Sequence, residues 1–277
     1  MTTIRFGHSP DPDDAFMFHG IAAGKVPVPA GWTIIQVLKD IESLNRMAIE
    51  GLIEVTAVSI HAYAYLADRY SLLPCGASMG DGYGPMVVAR RPMSLDELRG
   101  CTIAVPGMLT SATLALRLAL GEVSTEVVPF DQILERIGEG RSEAGLLIHE
   151  GQLTYAAAGL HRVIDLGDWW KRETGLPLPL GGNAVRKDLG ADTIAALSTL
   201  LKLSIEHGLE HRQEALTYAL DFGRGLARPM ADRFVGMYVN DYTLDYGEKG
   251  RRAIDLFLRR GAEAGIIPHR VNVEFAA

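Results

Sequence analysis

The chain has 277 residues, more than one compact core usually spans and fewer than three need, so two domains of roughly 100 to 150 residues are expected. With 48% hydrophobic and 22% charged residues and 13 prolines, the composition excludes long disorder and collagen-like repeats. The 34 Asp and Glu outweigh 27 Lys and Arg, and a net charge of -7 opposes a phosphate backbone, so nucleic acid is not an expected partner.

Basic residues cluster only at Arg251-Arg252 and Arg259-Arg260, a spacing that reads as the solvated face of a helix. Cys75 and Cys101 are too few for a disulfide framework or a thiolate metal site and read as small core residues. His8, Asp11, Asp13, Asp14 and two prolines interrupt the start, where a leader peptide would be apolar. No segment approaches the 18 or so apolar residues of a membrane helix, so a cytoplasmic protein without a membrane partner is expected.

In chain order, short apolar runs alternate with helical patterns. Strands are expected at 4–7, 33–38 and 55–59, helices at 13–23, 41–50 and 61–67, and a short apolar run at 72–75. A glycine-rich segment at 76–85 reads as a loop, followed by a strand at 85–90 that Arg91-Pro92 ends. The rhythm then resumes, with strands at 102–106, 125–128, 144–148 and 163–166 and helices at 111–120, at 131–137 and from 152. After the proline- and glycine-rich stretch 175–182 the pattern is helical, with Ile194, Leu197, Leu201 and Ile205 on one face. Asp245 and Glu248 have capping-box spacing, and Gly265 with Pro268 marks a helix stop.

Two β-α blocks with a helical tail predict two α/β lobes, residues 1–90 plus 186–277 and residues 91–185. The tail should return to the first lobe, with crossings near 88–92 and 179–186. A crevice between the lobes, at the carboxyl ends of strands, is the expected binding site.

Three strand ends carry candidate chemistry. Asp11, Asp13 and Asp14 follow the first strand; Asp13 suits a helix cap, and the amides beyond it would face the crevice. The Asp-x-Asp pattern does not match a phosphatase of the haloacid dehalogenase class, because four residues separate Gly7 from Asp11. No second acidic cluster completes a magnesium site, and no metal is expected. Thr110 and Ser111 place hydroxyls at a helix start suited to a carboxylate or phosphate, the plain alternative being an ordinary cap. His149 follows an apolar strand; an imidazole with its usual pKa near 6.5 can accept a proton at neutral pH, which makes His149 the first candidate base and His61, after Ser59, the second. For either one the plain alternative is a histidine bonded to backbone.

Nucleophile elbow and phosphate-loop motifs are absent from the sequence, and Gly80-x-Gly82-x-Gly84 lacks the strand-then-helix context of a dinucleotide site, so no nicotinamide or flavin cofactor is expected.

Seven ordered segments together resemble the 1,4-dihydroxy-6-naphthoate synthase family, MqnD, of the futalosine route to menaquinone. They are Ser9 to Phe16, Ser59 to Tyr63, Gly80 to Pro85, Pro106-Gly107 with Thr110 to Ala112, Ile148 to Gly151, Gly175 to Gly182, and Tyr238 to Thr243. The resemblance spans nearly the whole chain. It implies a two-lobed fold of the type II periplasmic-binding-protein kind, with mixed sheets flanked by helices and a cleft between lobes. It also implies cofactor-free carbon-carbon cleavage of cyclic dehypoxanthinyl futalosine, a small carboxylate substrate.

Carried over residue by residue, His149 would be the base, while Asp14, Ser59, Thr110 and Ser111 would line the pocket, with His61 beside them. The chain departs from the family at Asp11 and Asp13, where many members have Cys and Asn. The related chorismate dehydratases (MqnA) share the fold, and a solute-binding protein of that fold that captures a small anion is the other alternative. A homodimer is the one macromolecular partner kept open.

Overall fold

A computed structural model describes residues 2–276. Its strands are β1 (Thr2–His8), β2 (Trp32–Leu38), β3 (Val55–Ser59), β4 (Tyr70–Leu72), β5 (Ser78–Gly80), β6 (Met86–Ala89), β7 (Thr102–Val105), β8 (Ser124–Val127), β9 (Ala144–Leu147), β10 (His161–Asp165) and β11 (Leu178–Arg186). The first sheet has the order β2-β1-β3-β11-β4, with β5 also paired to β11; the second runs β10-β6-β9-β7-β8. Both are mixed. β1 is parallel to β2 and β3 while β11 is antiparallel to β3, and β7 is parallel to β8 and β9 while β6 is antiparallel to β9 and β10.

β3 has every residue buried because it lies between β1 and β11, which is why its run is apolar without alternation. Helix Pro12–Ala22 starts with proline in its first turn, where a missing N–H costs no helical bond. Its Phe16, Met17, Phe18 and Ile21 share a core with Leu197, Leu201 and Ile205 of helix Ala191–Glu210, so the tail returns to the first sheet. The last long helix, Gly247–Glu263, also reaches the second lobe's chain, with Phe257 edge-on to Trp170 at 5.3 Å. Among the described residues no helix is long and apolar enough to cross a membrane.

Several boundaries differ from expectation. β6 belongs to the second sheet and β11 to the first, so the chain passes between sheets at 81–85 and again at 166–177, both earlier than expected. The proline- and glycine-rich stretch 175–182, for which no strand was expected from local pattern, is mostly β11. Pro179 sits where the register with β5 shifts, and a Cβ on Gly182 would lie 2.3 Å from the Tyr246 hydroxyl, so glycine permits the close approach. The 76–85 loop contains the short strand β5, and helices Leu95–Arg99 and Leu166–Thr174 were not expected. Helix Gly247–Glu263 starts without a side-chain cap, so the expected Asp245/Glu248 capping box is not formed; Asp245 accepts a bond from the Gly247 amide at 2.6 Å, and Asn240 caps the preceding short helix Asp241–Leu244.

Candidate active site

β1, β3, β7 and β9 end at one cleft between the sheets. The cavity there opens to solvent and is lined by residues that include Asp14, Ser59, Thr110, Ser111 and His149. Five of the six side chains expected from the sequence therefore meet. His61 does not line the cavity. It is buried behind the helix Ser111–Leu120, its amide donating to Ser111 Oγ at 3.1 Å and its Nδ1 lying 3.2 Å from the Thr110 carbonyl. Burial pushes its pKa down to about 4, so it is neutral and structural in this setting.

The two hydroxyls at the helix start have separate tasks. Thr110 Oγ1 donates to the Gly107 carbonyl and accepts from the Thr113 amide, and is thus committed to the cap. Ser111 Oγ accepts from the His61 amide, which leaves its proton free for a ligand. The amides of Ser111 and Ala112, in the first turn of a ten-residue helix, have no intrahelical acceptor. Across the cleft, Asn45 grips Ser59 twice, donating to its Oγ at 3.1 Å and accepting from its amide at 2.9 Å, so the Ser59 proton is likewise free.

Asp11, rather than Asp13, occupies the cap position of helix Pro12–Ala22, but its carboxylate makes no cap bond. It accepts from Ser9 Oγ and from Arg224 Nη2, the latter at 2.7 Å, and its Oδ2 lies 3.2 Å from His149 Nδ1. Asp14 accepts the Ser9 amide at 2.7 Å. Burial at the bottom of the cleft raises Asp14 to about 7, and burial together with Asp14 and Asp11 raises Asp13 as well. Near neutral pH Asp14 is thus divided between its charged form and its protonated, donor form, and Asp13 is shifted toward the latter.

The other imidazole nitrogen of His149, Nε2, is buried without a partner in a residue that lines the cavity. Phe130 packs edge-on against the ring at 4.1 Å. Asp11, His149 and Glu150 offer ligand atoms within 4.8 Å of one another, close enough to share a cation. Arg224 already bonds both carboxylates, reaching Glu150 at 3.0 Å, so a guanidinium meets the charge an ion would meet. Sequence reasoning missed Asn45, Arg224 and Asn183, the last of which lines the cavity from β11.

Two mixed sheets exchanging strands around a deep cleft define a periplasmic-binding-protein-like chain. The alkanesulfonate-binding protein SsuA from Xanthomonas axonopodis pv. citri, bound to MOPS, has this fold, with a TM-score of 0.73 at 10% identity over 99% of this chain and 96% of that one. A family described as "Menaquinone biosynthesis" matches residues 4–263, and the chain belongs to it. A Thermus thermophilus protein named 1,4-dihydroxy-6-naphtoate synthase is 44% identical over 92% of both chains. A crystal structure of protein AF1704 from Archaeoglobus fulgidus matches with a TM-score of 0.92 at 46% identity, covering 96% of this chain and 98% of the other.

Proposed function

We propose that this chain is a 1,4-dihydroxy-6-naphthoate synthase, a carbon-carbon lyase that releases the naphthoate from cyclic dehypoxanthinyl futalosine, with His149 as the base. The observation that carries the reading is the unpartnered Nε2 of His149 in a cavity that also presents the free hydroxyl protons of Ser59 and Ser111. Family membership and the naphthoate synthase similar over the whole chain support the same substrate class.

The substrate carboxylate fits the Ser111 hydroxyl and the two free amides at the helix start. His149 Nε2 then takes a proton from a sugar hydroxyl of the substrate. The O–H electron pair forms a carbonyl as the adjacent carbon-carbon bond breaks, and its electrons pass to the ring system, which becomes aromatic. The proton is returned from the imidazolium or from a neutral Asp14, so the step is redox-neutral. Base catalysis of this kind contributes roughly a hundred- to ten-thousand-fold, and a closed cleft excludes water.

The test is to incubate purified protein with the cyclic substrate and follow 1,4-dihydroxy-6-naphthoate by chromatography. Its appearance is the expected result. Tight binding without product would return the reading to a solute-binding protein.

A further inference from the structure

The Asp11 carboxylate lies at the seam of the two lobes. It belongs to the turn after β1, while His149 follows β9 of the second sheet. Both oxygens are occupied: Oδ1 takes the Arg224 bond at 2.7 Å, and Oδ2 takes Ser9 Oγ and faces His149 Nδ1 at 3.2 Å. Arg224 is itself held firmly. It is the one non-glycine with positive φ among the described residues, at 47°, and its guanidinium lies 4.6 Å from the centre of the Phe130 ring that abuts His149. A strained backbone retained beside a cavity is a mark of a functional constraint.

We propose that Asp11 is a positioning residue for His149, fixing the imidazole tautomer that leaves Nε2 free to accept the substrate proton. An ionised carboxylate only accepts hydrogen bonds, so the Nδ1 facing it is the nitrogen that carries hydrogen, and Nε2 keeps its lone pair. When Nε2 takes the proton, the positive imidazolium is stabilised by the adjacent carboxylate, which Arg224 holds in place from its other oxygen at 2.7 Å. Asp11 follows a strand of one sheet and His149 a strand of the other, so the contact spans the cleft. The charged and titratable groups around the ring are Asp11, Asp13 and Asp14 from the first turn region, Glu150 next in the chain, and Arg224 and Tyr238 from the tail.

The catalytic part of the proposal rests on the proposed function; the tautomer does not. Ring ¹⁵N NMR of the full chain, with the His149 signals assigned by their loss in His149→Asn, should show an Nδ1-protonated neutral ring. In Asp11→Asn the Nδ1-protonated form should lose its dominance, since the neighbouring negative charge that favours it is gone. The kcat should drop roughly 10- to 10,000-fold with KM within about threefold. Asp11→Glu should recover part of both effects. Asp11→Ser, which keeps a small polar residue at the helix start, supplies the same readouts if Asp11→Asn does not fold.

An unchanged ring tautomer in these variants would overturn the proposal. A wild-type chain that makes no naphthoate, but whose ring tautomer depends on Asp11, would leave this positioning intact and sink the proposed reaction instead.

Discussion

Replacing Ser111 by alanine separates ligand binding from fold at a single atom. Ser111 Oγ accepts the His61 amide at 3.1 Å and has one proton left, in a residue lining the cavity proposed to take the substrate carboxylate. A hydrogen bond to a charged acceptor is worth about 1.5–3 kcal/mol, so its loss should weaken binding of 1,4-dihydroxy-6-naphthoate roughly 10- to 150-fold. The same substitution strands the buried His61 amide, at a cost of about 1–3 kcal/mol. For a chain of this length each kcal/mol moves the melting temperature by about 2–4 °C, so a decrease of roughly 2–12 °C is expected. Calorimetric titration measures the first effect and thermal unfolding the second. A lowered melting temperature with naphthoate affinity within about twofold of wild type would refute the carboxylate anchor and leave Ser111 as a brace for His61.

Two further substitutions test the electrostatics and packing around the cleft. Burial raises Asp14 to about 7, so the folded chain holds that proton more tightly than the unfolded chain does. Stability from this group is therefore present below its ordinary carboxylate pKa and is lost as pH rises toward 7. Asp14→Asn should flatten that decline and gain on the order of 2 kcal/mol near pH 8 in urea unfolding, at about 1.4 kcal/mol per unit discounted for coupling to Asp13; identical pH slopes in variant and parent would contradict it. Gly182→Ala would place a Cβ 2.3 Å from the Tyr246 hydroxyl on a central strand, and overpacking should cost about 1–3 kcal/mol. A melting temperature equal to wild type would show that Tyr246 can move aside.

The elements legible in the sequence are those whose signals are local. β3 and helix Ser111–Leu120 match expectation to the residue, one being an apolar run closed by a polar turn, the other beginning with a Ser/Thr pair and ending at Gly121. β11 was not legible because its proline and glycines mimic a loop; partners more than a hundred residues away in β3 make it a strand. The positions at which the chain changes sheets follow from that same pairing.

For the site, Asp14, Ser59, Ser111 and His149 could be found because polar residues directly after apolar strands mark a crevice. The partners that give them roles could not. Arg224 reaches Asp11 across 213 positions from a short turn without helical or strand pattern, and Asn45 looks in sequence like any polar residue of an amphipathic helix. His61 was misplaced for the opposite reason: it sits at a strand end, but its neighbours Thr110 and Ser111 cover it.

The central claim is that His149 Nε2 takes the substrate proton. His149→Asn keeps a polar side chain of smaller size but cannot act as a base. Steady-state turnover of the cyclic substrate, measured beside naphthoate binding, should show kcat lowered by about a hundredfold or more with binding retained. Turnover near wild type in a variant that still binds the naphthoate would contradict the account.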